Sequence, residues 1–152
     1  MTAREPFTDV ERRVWQCLDS LMIRIPTAVD ARLARDAGMT HFQYRVLASL
    51  AEQPRCQMQQ IDLARLTDAS QSRLSHVVSG LERRGWVRRV PSSGRRGANA
   101  VLTADGLDAL KSATEVFLDA VRRLVFDGLD ESEVWQLLTV AETLLEVSDV
   151  NA

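Results

Sequence analysis

The stretch DASQSRLSHVVSGLERRGWVRRVPSSGRRGANAV, residues 68–101, decides the fold. Within it Leu74, Val77, Val78 and Leu81 recur at i, i+3, i+4 and i+7, the apolar stripe of an amphipathic helix. At about 100° per residue, Ser72, His76, Ser79 and Arg83 fall opposite that stripe, with Arg73 and Ser75 on its flanks. This face offers hydroxyls, one imidazole and arginine, and no carboxylate. Those are the donors and cations that base edges and phosphates in a DNA major groove require. A merely solvated helix face also reads as polar, so the flanks decide between the two.

Asp68 with Gln71 three residues on predicts a capping box at the helix start. Arg83-Arg84-Gly85-Trp86 predicts its end, with Gly85 in the left-handed conformation and Trp86 folded back on Leu81. Trp86 to Val90 reads as a strand, residues 91–99 as turn chemistry and Ala100-Val101-Leu102 as the returning strand. A helix, a strand, a basic glycine-containing tip and a second strand make a winged helix. Between Ser70 and Ala104 seven arginines stand against one acid, Glu82, a local net charge of +6.

Working outward, residues 59–67 read as a short helix burying Ile61, Leu63, Ala64 and Leu66 in part. Three to four residues separate it from the Ser70 helix, the spacing of a helix-turn-helix. Thr40 with Gln43 predicts a capped helix burying Tyr44, Leu47, Leu50 and Ala51, ended by Gln53-Pro54, with a short strand from Arg55 to Met58. Upstream, Val10, Val14, Leu18, Leu21, Ile25, Val29 and Leu33 mark one long helix that ends near Gly38 and is kinked at Pro26. Downstream, Thr103 caps a helix to about Phe126 whose seam is Leu107, Leu110, Thr114, Phe117, Val121 and Leu124. Gly128 closes it, and Asp130 with Glu133 caps a last helix carrying Val134, Leu137, Leu138, Ala141, Leu144 and Leu145. Two such stripes exceed what one small core covers, so the surplus predicts a partner subunit.

The 152 residues are 45% apolar, enough for one globular domain with a genuine core. The overall charge is −2, which argues against a generic nucleic-acid-coating protein, but unlike thirds are averaged in it. Residues 1–69 are neutral and residues 105–152 carry −8, so basic charge is concentrated where a groove-binding element would sit. Cys17 and Cys56 make no disulfide framework and no CxxC pair. There is no membrane-length apolar run and the amino terminus lacks the apolar core of a signal peptide, so a soluble cytoplasmic protein is expected.

The order long helix, helix, strand, helix-turn-helix, wing and two long helices resembles the MarR (multiple antibiotic resistance regulator) family. The residues that carry the likeness are Gly38-Met-Thr-His-Phe-Gln-Tyr-Arg-Val-Leu47, Asp62-Leu-Ala-Arg-Leu-Thr67 and Ser72-Arg-Leu-Ser-His-Val-Val78. With them go Leu81-Glu-Arg-Arg-Gly-Trp-Val-Arg-Arg89, Ala100-Val-Leu-Thr-Ala-Asp-Gly106 and Val121-Arg-Arg-Leu-Val-Phe-Asp127. The resemblance covers nearly the whole chain. It implies a mainly α (α+β) fold: a single domain over residues 1–152, with a winged helix-turn-helix lobe at about 40–102 and dimerisation helices at about 5–37 and 104–148. It further implies a homodimeric repressor of a pseudo-palindromic operator in double-stranded DNA, released by a small aromatic or phenolic effector.

The expected DNA contacts are Ser70, Gln71, Ser72, Arg73, Ser75, His76, Arg83, Arg89, Arg95 and Arg96, with Arg96 as the wing arginine by position. The family commonly has an aspartate two residues before that arginine, where this chain has Gly94. In the fifth helix, Thr114-Glu-Val-Phe117 stands where relatives often carry Ala-Pro-Gly-His. The expected dimer interface is Val10, Val14, Leu107, Leu110, Phe117, Val121, Leu137 and Leu144. Trp15, Met22, His41 and Tyr44 are the candidate ligand-pocket residues, with ordinary core packing the competing reading.

His41 and His76 lack a third ligand nearby, so neither metal nor cofactor is expected. The serines near His76 have no orienting carboxylate and no oxyanion turn, so no enzyme is expected. Two alternatives stand beside the operator reading. One is a thiol-based redox sensor acting through Cys17, although nothing in the sequence marks that thiol as activated. The other is a winged helix used for protein contact without an operator of its own.

Overall fold

The computed structural model describes residues 6–92 and 97–150. They form α1 (Asp9–Ala37), α2 (His41–Ala51), β1 (Gln57–Gln59), α3 (Gln60–Leu66), α4 (Gln71–Arg83), β2 (Val87–Pro91), β3 (Ala98–Leu102), α5 (Ala104–Val121) and α6 (Glu131–Val150). The backbone divides into two compact units, Met1–Phe117 and Leu118–Ala152. Among the described residues, no helix is long and apolar enough to cross a membrane.

The first unit is a winged helix with a long amino-terminal helix. Thr8 and Glu11 form a capping box that starts α1, and Gly38, at φ 64°, ends it. The helix runs unbroken through Pro26. Thr40 and Gln43 cap α2 reciprocally, and Asp30 Oδ1 of α1 accepts the His41 backbone N–H at 2.8 Å. Val29 and Leu33 from α1, Val46, Leu47 and Leu50 from α2, and Leu63 from α3 are buried together with Leu74, Val78 and Leu81 of α4. The sheet order is β1-β3-β2, antiparallel throughout, with Arg89 opposite Ala100 and Gln57 opposite Val101.

Several sequence expectations shift here. The cap of α4 is Ser70, whose hydroxyl accepts the Arg73 N–H at 3.2 Å. Asp68 instead sits at φ 52° in the turn, with its carboxylate 3.2 Å from Arg45. Arg55 and Cys56 occupy left-handed conformations in a 3-10 turn, so β1 begins only at Gln57. In α3, Leu63 and Ala64 are buried, but Ile61 and Leu66 stay exposed, since seven residues turn only a narrow face inward. In α5, the seam residues Leu110 and Phe117 are taken up inside the first unit. Leu110 is 7% exposed, and the Phe117 ring stacks on Tyr44 at 4.5 Å and on His41 at 5.7 Å. Leu107 and Val121 are half-buried. Two of the seam's six residues, Leu110 and Phe117, therefore have partners within the first unit.

The end of α4 ties the unit together. The Gly85 N–H donates to the Glu82 carbonyl at 2.9 Å and the Trp86 N–H to the Leu81 carbonyl at 3.0 Å, with Gly85 at φ 74°: a Schellman cap. Thr103 starts α5 against the same turn, donating its hydroxyl to the Gly85 carbonyl at 2.6 Å and its N–H to the Trp86 carbonyl at 3.0 Å. Arg84 donates to the Gly38 carbonyl at 2.7 Å while its guanidinium lies 3.5 Å over the Trp86 ring.

The second unit begins in the last turn of α5, which widens into a π-helical turn at Arg122–Phe126 with the Asp127 N–H bonded to the Arg122 carbonyl. Asp130 and Glu133 then cap α6 reciprocally, each backbone N–H bonded to the other's carboxylate at 2.9 Å. Much of this unit's apolar surface is open, with Trp135 and Leu145 each 64% exposed and Leu137 and Leu144 near half.

A β-carbon at Gly106 would overlap the Trp86 carbonyl oxygen, which is backbone and cannot turn aside. Gly106→Ala should therefore cost about 1–3 kcal/mol, as overpacking does. That lowers the melting temperature by about 3–10 °C for a chain of this size. Gly80→Ala, whose β-carbon would meet only the Arg83 guanidinium at an ordinary 3.9 Å, should raise it slightly because alanine is the better helix former. Equal melting shifts for the two variants would contradict this account of the α4–α5 junction.

Burial pushes the His41 imidazole below its usual pKa, helped by the Arg45 charge and opposed by Asp30. The unfolded chain takes up that proton near pH 6.5 while the folded chain resists it. Stability should thus be complete above that pH and be lost as pH falls through the folded value. Thermal melts at about pH 7.5 and about pH 5.5, on either side of the free imidazole's range, should show a larger drop for the wild type than for His41→Gln. An identical drop in the two proteins would assign the loss to other groups.

Candidate nucleic-acid interface

Burying Leu74, Val78 and Leu81 contributes about 1.5–3 kcal/mol per side chain. That burial fixes the rotation of α4 and leaves Gln71, Ser72, Arg73, Ser75, His76 and Arg83 exposed together with the cap residue Ser70. These are seven of the ten expected DNA contacts. Ser79, on the same face, is half-buried. Arg95, Arg96 and the Gly94 departure lie outside the described residues.

Two of the expected arginines have internal partners. The Arg73 guanidinium lies 4.2 Å from the centroid of the Phe42 ring. Arg89 is engaged by three residues of α4. Its Nη1 donates to Glu82 Oε2 at 2.8 Å, and its Nη2 to the Ser75 carbonyl at 3.0 Å and to Ser79 Oγ at 2.8 Å. Its neighbour Arg88 is exposed. The alternation of a strand sends consecutive side chains to opposite faces, so only one of this pair can meet the helix. That signal was present in the sequence and would have separated them.

Two hollows border the polar face of α4. One, of about 280 Å³, is lined by Gln59, Gln60, Ile61, Gln71 and Ser75. Its glutamines carry the paired donor and acceptor that suit adenine. No periodicity marks Gln59 and Gln60 in the sequence, and the Gln59 amide donates to Ser92 Oγ at 2.7 Å. The other, of about 490 Å³, is lined by Pro26, Asp30, His41, Phe42, Arg45 and Arg73. Of the four expected ligand-pocket residues, only His41 lines it. Tyr44 is buried against Phe117, while Trp15 and Met22 are exposed on α1. Aromatic spacing on a helix does not say which cavity a side chain reaches. Among the described residues, no cluster of three His, Cys, Asp or Glu could hold a metal ion.

The sequence model of the MarR family matches residues 37–96. Sco3205, a MarR family transcriptional regulator from Streptomyces coelicolor solved in complex with DNA, is 35% identical. That likeness covers 96% of this chain and 92% of that one, at a TM-score of 0.90. AbsC, a MarR family transcriptional regulator from the same organism, is 29% identical over 95% of this chain and 98% of its own, at a TM-score of 0.88. CouR from Rhodococcus jostii RHA1, solved with p-coumaroyl-CoA, shares the fold at 22% identity and a TM-score of 0.76, over 91% of this chain and 95% of its own. Among curated proteins, none matches. With its helix-turn-helix, its three-stranded sheet and 35% identity to a MarR family regulator over 96% of its length, this chain belongs to the MarR family of winged-helix transcriptional regulators.

Proposed function

We propose that the protein is a homodimeric repressor that reads a pseudo-palindromic operator with α4 and the wing and is released by a small effector. The observation that carries this reading is the exposed row Ser72, Arg73, Ser75 and His76, presented by a helix whose opposite side is locked in the core. The +6 segment around it supplies the phosphate attraction. Self-association is supported by open apolar surface on α1, where Val10 is 73% and Val14 51% exposed, and by the open face of α6. Of the remaining interface candidates, Leu137 and Leu144 are open, whereas Leu110 and Phe117 already have partners within the chain. The hollow at His41 and Arg73 is the place for an effector, because its contents bear directly on the recognition helix. CouR, which shares the fold, was solved bound to p-coumaroyl-CoA.

Arg73 can leave Phe42 to read a base. An exposed cation–π contact is worth about 0.5–1 kcal/mol, whereas a bidentate arginine–guanine pair discriminates by about 1–3 kcal/mol. Arg73→Ala should therefore cost about 1–3 kcal/mol on the preferred duplex and relax preference at one position per half-site. Arg96→Ala should weaken binding across sequences more evenly and lower the magnitude of the salt slope by about one for each phosphate no longer neutralised. Fluorescence titrations over a range of salt, on preferred and scrambled duplexes, measure both. A wild type whose retention of duplex is weak and independent of salt would instead favour a protein-contact module. The reverse assignment of effects to Arg73 and Arg96 would exchange the roles of helix and wing.

A further inference from the structure

Glu82 is the single carboxylate among seven arginines between Ser70 and Ala104. A negative charge in a surface that approaches phosphates lowers affinity, so its place there calls for a compensating role. The geometry supplies one. Glu82 Oε1 accepts the Arg89 backbone N–H at 3.1 Å and Oε2 accepts the same residue's guanidinium at 2.8 Å. Arg89 belongs to β2, an edge strand whose outward N–H groups have no neighbouring strand, and Glu82 satisfies one of them. The other prong of the guanidinium reaches the Ser75 carbonyl and the Ser79 hydroxyl, and Ser79 itself donates to the Ser75 carbonyl at 2.9 Å. Backbone and side chain of one wing residue are thereby gripped by three residues of the recognition helix. The Arg89 side chain is 27% exposed, so little of it faces outward.

We infer that Glu82 and Arg89 are positioning residues for DNA reading: they set the wing strand against α4 so that helix and wing meet the duplex in one register. This rests on the DNA-binding reading above and assigns Arg89 a role other than the direct phosphate contact its charge suggests. Exposed neighbours such as Arg83 and Arg88 carry the phosphate attraction instead.

Two charge-neutral or charge-gaining variants separate geometry from electrostatics. Glu82→Gln removes a negative charge, so electrostatics alone predicts tighter binding. Arg89→Lys keeps the charge but loses the planar fork that reaches three acceptors at once. The positioning account predicts that both bind more weakly, by about three- to tenfold, to a duplex recovered by the wild type from a random library, the scale of one or two hydrogen bonds. The deficit on a scrambled duplex should be smaller, since nonspecific attraction needs no register. Circular dichroism melts check that both variants fold, and Arg89→Lys carries the test alone should Glu82→Gln not fold. Tighter binding by Glu82→Gln, or unchanged binding by Arg89→Lys, overturns the inference while leaving the DNA-binding reading intact. A wild type that retains no duplex overturns both.

Discussion

The turn at Arg84-Gly85-Trp86 is the contact on which the first unit depends. Its left-handed glycine ends α4 where the next residue can return a hydrogen bond to Leu81. The same few atoms accept Thr103 from the start of α5 and leave Gly106 no room for a β-carbon. Arg84 extends the grip to the Gly38 carbonyl at the end of α1. Four elements therefore take their relative positions from one cap. A residue with a side chain at position 85 would have to hold φ 74° against its own β-carbon.

From that turn the functional surface follows. The direction of α4 is set at its carboxyl end, its rotation by Leu74, Val78 and Leu81, and its amino end by Ser70. What remains outward is a polar row with no freedom to roll. The wing leaves the same turn directly, and the Glu82–Arg89 contact holds it along the helix. Arg73 sits where the hollow beside α1 and α2 meets the exposed polar row of α4, the row proposed to read DNA. A group occupying that hollow would compete for the same side chain, giving an effector a short physical route to the recognition helix.

Most of this was legible in the sequence wherever a short-range rule was enough. The i, i+3, i+4, i+7 stripe, the Thr40 and Asp130 boxes, and the stops at Gly38 and Gly85 are local, and the structure has them. The misplaced cap shows where local rules tie. Asp68 and Ser70 both precede the apolar run, and the choice between them is made by the turn, which bends Asp68 to φ 52° and toward Arg45. The α5 seam shows a different limit, since a heptad marks a buried face without saying what buries it. Leu110 is buried, and the half-buried Phe117 ring stacks on Tyr44 within the first unit. Charge alone makes Arg89 look like a phosphate contact, and it cannot reveal that a neighbouring carboxylate and two serines occupy the guanidinium.

We propose that two copies of α4 read DNA together across a dyad. Selection of bound fragments from a random duplex library by the purified protein tests it most directly. Successive major grooves on one side of B-DNA lie about 34 Å apart, so the account predicts an inverted repeat with half-site centres about ten base pairs apart. A direct repeat, a lone half-site bound at full affinity, or no enrichment at all would contradict it.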